Sequence, residues 1–199
     1  MIKDPVQIRL SGSGGQGLIT AGVILAEAAL LDGRNVVQTQ TYGPEARLGS
    51  SKAEVILSHG AIAYPQVTVP DVLLCLSSEA ARKYTPQVHE NTIVILDADC
   101  VDAAIGAAGK TARHGHIMRF PITKTAEAAG GKVVANVVAL SVMNEICELV
   151  TSDNLREAVR TRVPERFRSL NERALEAGRQ LAADDRGMVT AAMAEGRRI

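Results

Sequence analysis

The chain has 199 residues, 46% of them hydrophobic and 22% charged, and its 22 basic residues balance its 22 acidic ones. This composition is typical of a globular domain, and a formal net charge of zero offers no basic surface to nucleic acid or anionic lipid. Aromatic residues make up only 3%, and no apolar run approaches the ~18 residues of a membrane helix, so neither base stacking nor membrane insertion is expected. The N-terminus lacks the apolar core of a signal peptide, so the cytoplasm is the expected compartment.

The three cysteines, Cys75, Cys100 and Cys147, are far apart and form no Cys-x-x-Cys pair. No zinc or iron–sulfur motif is therefore recognisable in this chain itself. Cys75 and Cys147 lie in apolar runs, which predicts buried, reduced thiols at both positions.

Strand-like and helix-like runs alternate along the first 120 residues. Some strand-like runs, such as TIVIL at 92–96, are apolar throughout, which is typical of strands buried on both faces. The alternation predicts an α/β fold with a Rossmann-like, mostly parallel sheet flanked by helices. The predicted strands are Ile8–Ser11, Asn35–Gln40, Lys52–Ser58, Asp71–Leu76, Thr92–Leu96 and Ile117–Phe120, and the predicted helices between them are Leu18–Leu31 and Ser78–Tyr84.

The pattern changes near residue 132. Lys132–Leu149 is apolar nearly all round, which predicts a helix buried within the domain or against a partner. Asn154–Arg162 predicts a second helix, and Pro164 begins a third with one apolar seam at helical spacing. We therefore divide the chain into an α/β domain, residues 1–150, and a C-terminal helical extension of the same domain, residues 151–199. The seam consists of Phe167, Leu170, Ala174, Ala177 and Leu181.

A glycine-rich segment, Gly12–Gly17, connects the first predicted strand to the first predicted helix. Gly12, Gly14 and Gly17 form G-x-G-x-x-G in the strand–loop–helix context that this motif requires. Glycine lets the backbone approach a ligand closely, and the amides and positive dipole end of the following helix attract an anion. The segment predicts a phosphate or pyrophosphate site, and a tight turn without a ligand is the alternative.

The further signals of common nucleotide sites are missing. An NAD site has an acidic residue about 20 positions after the glycines, but Val36–Thr41 contains no Asp or Glu. Gly17 is followed by Leu18 and Ile19 instead of the Lys and Ser/Thr of a phosphate-binding NTPase loop. The loop therefore predicts a polyphosphate site that is neither an ordinary NAD site nor an ATP site.

A long polar loop, Tyr42–Ser51, follows the second predicted strand. A loop of this length in a compact domain is usually functional or disordered. Because loops after parallel strands gather at one edge of the sheet, we expect it beside the glycine loop. There Arg47 could make a charge-assisted contact to phosphate or carboxylate, and Ser50 and Ser51 could donate hydrogen bonds. A simple ion pair between Glu45 and Arg47 is the alternative.

These motifs together resemble a known family. A strand leading into GSGGQG, then TYGPEARLGSSKAEVILS and PDVLLCLSSEA, resembles the gamma subunit of the 2-oxoacid:ferredoxin oxidoreductases, a domain fused within pyruvate:ferredoxin oxidoreductase. The resemblance covers residues 6–100 by motif and extends to Val134–Leu149 and Asn171–Gly178. The family usually reads Tyr-Gly-Pro-Glu-x-Arg-Gly-Gly, and here Leu48 replaces the first glycine of the final pair. Because Leu does not readily adopt a positive φ, we expect a different loop path, which would alter the ligand contacts at Arg47 to Ser51.

The resemblance implies a multi-subunit enzyme that oxidatively decarboxylates a 2-oxoacid to an acyl-CoA and is inactive as this chain alone. Thiamine diphosphate with magnesium, and iron–sulfur clusters, are implied for partner subunits: thiamine-binding alpha and beta types and a ferredoxin-like iron–sulfur subunit. Electrons would pass through them to ferredoxin or to an NAD-linked acceptor. Which 2-oxoacid is oxidised stays open between 2-oxoglutarate, pyruvate, branched-chain and aryl acids.

For this chain, the resemblance implies a gamma-type domain that packs over the active site and helps to bind coenzyme A. No catalytic residue and no metal ligand is expected in the chain itself. The cofactor-binding residues implied are Gly12, Ser13, Gly14, Gly15, Gln16, Gly17, Arg47, Ser50 and Ser51.

Two smaller groups of side chains could bind a metal. His114 and His116 would share one face of an extended segment, but without a nearby Cys or carboxylate they are better interpreted as surface histidines. Asp97, Asp99 and Asp102 follow a predicted strand and could bind magnesium, although such acids more often cap the next helix.

Two other functions stay open. One is a self-contained dinucleotide-dependent oxidoreductase, against which the missing acid after the second strand counts. The other is an assembly subunit whose glycine loop is unoccupied. A bulky residue at Gly15 would weaken coenzyme A use if the loop binds this cofactor and would leave its KM unchanged if the loop does not.

Overall fold

The computed structural model describes residues 4–42, 50–105 and 116–195, and of residues 42, 50 and 185–195 it describes the backbone alone. Within these residues lie six strands and six α-helices, joined in places by short 3-10 turns. The strands are β1 (Val6–Ser13), β2 (Asn35–Tyr42), β3 (Ser50–Ser58), β4 (Val72–Cys75), β5 (Ile93–Asp97) and β6 (His116–Phe120). The helices are α1 (Leu18–Leu31), α2 (Ser78–Tyr84), α3 (Ile122–Ala129), α4 (Ala135–Cys147), α5 (Ser152–Arg162) and α6 (Arg168–Glu195).

The strands form one mixed sheet in the order β2-β3-β1-β4-β5-β6. β1, β4, β5 and β6 pair in parallel, whereas β3 is antiparallel to both of its neighbours, β1 and β2. The connection between β2 and β3, residues 43–49, is too short for a parallel crossover, which takes about a dozen residues or more. The predicted α/β fold with a mostly parallel sheet is therefore confirmed, with one reversed strand that the apolar pattern did not show.

The sheet is covered on both faces. Alternate residues of β4 and β5 supply the two cores: Leu74 and Ile95 belong to the larger one, and Leu73 and Val94 to the smaller one with α2. All five residues of β5 are buried, which confirms the prediction of a strand enclosed on both faces. None of the helices in the described ranges is long and apolar enough to cross a lipid bilayer.

The C-terminal helices pack on the larger core. The buried side chains of α4 form an unbroken run from Asn136 to Asn144, as the apolar pattern predicted. α6 crosses α4 at Gly178, where an added Cβ would lie 2.6 Å from the carbonyl oxygen of Val138 and 2.7 Å from the Cβ of Ser141. Helices on both sides of residue 150 thus share one core, and the division of the chain at that residue stays a prediction.

Asp97, the last residue of β5, and Asp99 cap α3, a helix that was not predicted from the sequence. The carboxylate of Asp97 accepts hydrogen bonds from the backbone N–H of Thr123 at 3.3 Å and from its hydroxyl at 2.5 Å. Asp99 accepts from the backbone N–H of Lys124 at 2.8 Å. For these two residues the helix-capping interpretation is correct, because both carboxylates are used at the N-terminus of α3.

A buried ion pair connects β1 to β3. The Nε of Arg9 lies 2.7 Å from Oε1 of Glu54, with side chains only 5% and 10% exposed, and Lys52 Nζ lies 2.9 Å from Oε2 of the same carboxylate. Arg9 also donates to the side chain of Gln87 and to the carbonyl of Val67, each at 3.2 Å. The guanidinium thus joins the strand pair to the segment that leads into β4.

Asp32 joins the end of α1 to the start of α5. Its carboxylate accepts hydrogen bonds from the backbone N–H of Thr151 at 2.8 Å, from the Thr151 hydroxyl at 2.7 Å and from Asn154 Nδ2 at 2.5 Å. Burial acts to raise the pKa of Asp32, but these hydrogen bonds and the charge of Arg34 outweigh it and hold the pKa below its ordinary value.

Candidate anion-binding site

The glycine loop, residues 12–17, lies at the carboxyl end of β1, in the middle of the sheet. Gly15 and Gly17 have φ angles of +88° and +72°, a region that residues with a Cβ rarely adopt. A Cβ added at Gly15 would meet nothing within 4 Å, whereas one added at Gly12 would lie 2.3 Å from Oε1 of Gln16. Gly12 is therefore needed for packing, and Gly15 presents bare backbone to open space.

The side chain of Gln16 is engaged within the chain. Its Oε1 accepts from the backbone N–H of Ser13 at 2.6 Å, and its Nε2 donates to the carbonyl of Leu76 at 2.9 Å. The backbone N–H of Gln16 donates to the carbonyl of Ser13 at 3.3 Å. Gln16 therefore ties the loop to the carboxyl ends of β1 and β4.

The first turn of α1 has no side-chain cap. Gly17 is the N-cap residue and supplies no side chain, so the amides of Leu18, Ile19 and Thr20 point towards the loop without such a partner. The first turn of α4 has no side-chain cap either, and its Asn136 donates from Nδ2 to the carbonyl of Gly17 at 3.1 Å. The first turn of α4 thus contacts the N-cap residue of α1, and the positive dipole end of α1 favours an anion at the loop.

The β2–β3 hairpin reaches the same edge. Gly12 pairs with Ser51 and Ser13 with Ser50 in the antiparallel register of β1 and β3, so the base of the polar loop lies beside the glycine loop as predicted. Ser51 is buried. Arg47 and Leu48 lie outside the described residues, as does the side chain of Ser50. The ligand contacts assigned to Arg47, Ser50 and Ser51 stay predictions.

An apolar groove of about 170 Å³ adjoins the start of α1. It is smaller than the roughly 300–1,000 Å³ of a small-molecule pocket, so a whole coenzyme does not fit inside it. Its lining includes Asn136, which contacts the glycine loop, and is otherwise mostly aliphatic. The other lining residues include Thr20, Ile24, Val134, Val137, Pro164, Phe167 and Leu170.

The three cysteines are free and form no disulfide. Burial raises the pKa of the Cys75 thiol to about 12, and burial likewise raises the pKa of Cys147 to about 12. Cys75 is buried as predicted, Cys147 is half-buried where a buried residue was predicted, and Cys100 is exposed. Among the described residues there is no group of three or more His, Cys, Asp or Glu that could hold a metal ion. His114, one of the two candidate histidines, lies outside them.

Asn136 is the part of the site that the sequence analysis missed. It is separated from Gly17 by 119 positions, so no local motif connects the two residues. The available signal was Asn136 itself, a polar residue in a run predicted to be a buried helix. A buried amide needs a hydrogen-bond partner, so such a residue indicates a specific contact.

Comparison with known proteins identifies the family of this chain. The model of the pyruvate ferredoxin/flavodoxin oxidoreductase family matches residues 7–181. The chain belongs to this family. It is 40% identical over 183 residues to the 2-oxoglutarate synthase subunit KorC of Methanothermobacter thermautotrophicus, and the match spans 91% of this chain and 97% of that protein.

Solved structures of the family have the same fold. The gamma subunit of a keto/oxoacid ferredoxin oxidoreductase from Geobacter sulfurreducens is 41% identical, with a TM-score of 0.76 over 90% of this chain and 99% of that chain. The 2-oxoglutarate:ferredoxin oxidoreductase from Magnetococcus marinus, with 2-oxoglutarate, coenzyme A and succinyl-CoA bound, is 23% identical, with a TM-score of 0.81 over 92% of this chain and 32% of that chain. The predicted resemblance to an oxidoreductase gamma subunit is thus confirmed.

Proposed function

We propose that this family member helps to bind coenzyme A and covers the active site in a thiamine diphosphate-dependent, CoA-acylating 2-oxoacid oxidoreductase. The observation that carries the proposal is the glycine loop, with bare backbone at Gly15 and an uncapped helix N-terminus directly behind it. Coenzyme A carries a pyrophosphate and a further phosphate, which are the anions that such a loop attracts. The Magnetococcus marinus relative holds coenzyme A, which supports coenzyme A as the ligand in this proposal.

The chain's own groups would act by binding and orientation. The backbone of Gly14 and Gly15 and the first-turn amides of α1 would donate hydrogen bonds to phosphate oxygens. The absence of a Cβ at Gly15 leaves room for those oxygens to approach. Arg47 would add a positive charge, and the hydroxyls of Ser50 and Ser51 would add donors.

The redox chemistry belongs to the partners in this proposal. Thiamine-binding alpha and beta subunits would hold thiamine diphosphate and magnesium, where the 2-oxoacid loses carbon dioxide. A ferredoxin-like subunit would hold iron–sulfur clusters that pass electrons to ferredoxin. The similarity to a 2-oxoglutarate synthase subunit supports 2-oxoglutarate as the substrate. The cytoplasm stays the expected compartment.

Paired substitutions at Gly15 test the coenzyme A site. Asn and Asp tolerate a positive φ better than other residues with a Cβ and are nearly the same size, so Gly15→Asn and Gly15→Asp differ mainly in charge. A carboxylate several ångströms from a phosphate should raise the KM for coenzyme A about tenfold over the Asn variant, with kcat little changed. The assay is steady-state reduction of ferredoxin by the assembled complex at saturating 2-oxoacid.

Gly33 supplies the matched control. It has a φ of +75° and equally open surroundings, but it lies just past the opposite end of α1. Gly33→Asp should therefore leave the KM for coenzyme A unchanged. Equal KM values for Gly15→Asp and Gly15→Asn would reject the coenzyme A site and favour an assembly subunit with an unoccupied loop.

Purification from the native cells tests the subunit role separately. A brown complex several times the mass of this chain, with the broad absorbance of iron–sulfur clusters, is expected. Its activity would then be measured with coenzyme A and 2-oxoglutarate, pyruvate, branched-chain and aryl 2-oxoacids. A colourless monomer or homodimer would contradict the proposed partners and favour a self-contained dinucleotide enzyme.

A further inference from the structure

The side chain of Asn136 contacts Gly17, the N-cap residue of α1. Its Nδ2 donates to the carbonyl of Gly17 at 3.1 Å, and the same carbonyl accepts the first intrahelical bond, from Ala21 N–H at 3.0 Å. A Cβ on Gly17 would lie 2.6 Å from that Nδ2, so the amide of Asn136 occupies the space that a side chain at position 17 would need. The position of Asn136 therefore requires a residue without a side chain at position 17.

Gln16 holds the loop next to this point. Its two hydrogen bonds, to the N–H of Ser13 and to the carbonyl of Leu76, attach the loop to two neighbouring parallel strands. Gly14 and Gly15 lie between Ser13 and Gln16 and have open surroundings at Gly15. The exposed backbone at Gly15 is thus flanked by Ser13, which donates a hydrogen bond to the side-chain amide of Gln16, and by Gly17, which accepts one from that of Asn136.

We propose that Asn136 and Gln16 are positioning residues for coenzyme A, a role that rests on the proposed function of the glycine loop. Their polar side-chain atoms bind the protein backbone and keep the loop amides and the first turn of α1 aimed at the phosphate. Amides that are already oriented bind an anion more tightly, because no ordering of the loop has to accompany binding.

Asn144 provides a control for a merely structural role. It is also buried in α4, and it makes two hydrogen bonds to the backbone of Val150, one from Nδ2 at 3.0 Å and one to Oδ1 at 2.9 Å. It lies at the far end of the helix from Gly17. Because Asn144 makes two such bonds and Asn136 makes one to Gly17, loss of stability alone would affect an Asn144 variant at least as strongly.

The test compares Asn136→Leu, Asn144→Leu and Gln16→Met in the assembled complex. Leu has the branching of Asn and Met has about the length of Gln, and both remove the hydrogen bonds of the amide. We expect Asn136→Leu and Gln16→Met to raise the KM for coenzyme A about tenfold, with kcat and the KM for the 2-oxoacid little changed. Asn144→Leu should lower the melting temperature but keep the KM for coenzyme A within about twofold of the unsubstituted complex.

Each other result overturns the idea. An unchanged KM for coenzyme A in Asn136→Leu, or an equal rise in Asn144→Leu, would mean that Asn136 acts only on stability. If Asn136→Leu does not assemble, Gln16→Met decides by the same comparison. Gly15→Asp, measured alongside, separates the two proposals. If the KM for coenzyme A rises in Gly15→Asp but not in Asn136→Leu or Gln16→Met, only the positioning role is rejected. If it does not rise in Gly15→Asp, both the coenzyme A site and the positioning role are rejected.

Discussion

Replacing Glu54 by alanine would leave the Arg9 guanidinium buried without its carboxylate. The side chain of Arg9 is 5% exposed, and its remaining hydrogen-bond partners, Gln87 and the carbonyl of Val67, are neutral. Removing one member of a buried ion pair typically lowers the free energy of unfolding by about 3–5 kcal/mol. In a chain of this size each 1 kcal/mol shifts the melting temperature by about 2–4 °C, so the expected fall is about 6–20 °C.

An exposed ion pair supplies the comparison. The side chains of Arg179 and Glu176 are 50% and 55% exposed, although their closest N···O distance is 2.5 Å. Such pairs contribute about 0–1 kcal/mol, so Glu176→Ala should lower the melting temperature by less than about 4 °C. Removing both buried charges, with Arg9→Met and Glu54→Leu together, should recover most of the stability that Glu54→Ala loses.

Thermal melts followed by circular dichroism, with urea titrations for the free energy of unfolding, measure all three variants. If Glu54→Ala and Glu176→Ala lower the melting temperature equally, burial does not determine how much stability is lost when an ion pair is broken. A double variant no more stable than Glu54→Ala would show that the isolated charge on Arg9 is not its cause.

Three further predictions concern packing, pH and reactivity. Gly178→Ala should lower the free energy of unfolding in urea by about 1–3 kcal/mol despite the higher helix propensity of alanine, because its Cβ would lie 2.6 Å from a carbonyl oxygen of α4. The lowered pKa of Asp32 means that its stabilising contribution is present above the unfolded pKa and is lost as the pH falls through the native value. The melting-temperature deficit of Asp32→Asn should therefore be largest near pH 7 and shrink towards pH 3, and a constant deficit would contradict the linkage. Maleimide at pH 8 should label exposed Cys100 before the other two cysteines, as mapped by peptide mass spectrometry, and early labelling of either of those would show that its thiol is accessible.

β4 and β5 could be predicted because strands buried on both faces have apolar side chains throughout. The direction of β3 could not be read from its apolar residues, since an apolar run looks the same in either direction. The shortness of the connection at 43–49 was the available signal. α3 was missed because it is short, although Pro121 just before it and Gly130 just after it are ordinary boundary signals.

The candidate site, too, could be predicted from the sequence only in part. Residues 12–17 are consecutive, so their glycines could be recognised as a loop between a strand and a helix. The roles of Gln16 and Asn136 depend on which backbone groups their amides reach, and those are supplied by the ends of β4 and α1. Sequence patterns predict contacts within an element well, whereas contacts between distant elements require the fold.

The central place of β1 in the sheet bears on how the chain is made. Both of its neighbours come later in the sequence, β3 from residue 50 and β4 from residue 72, so a growing chain first presents β1 with two open edges. The amide that holds Gly17 follows 119 positions after it. During synthesis the carbonyl of Gly17 therefore gains its partner Asn136 only after α4 has emerged, and a nascent chain halted before residue 136 lacks this contact at the candidate anion site.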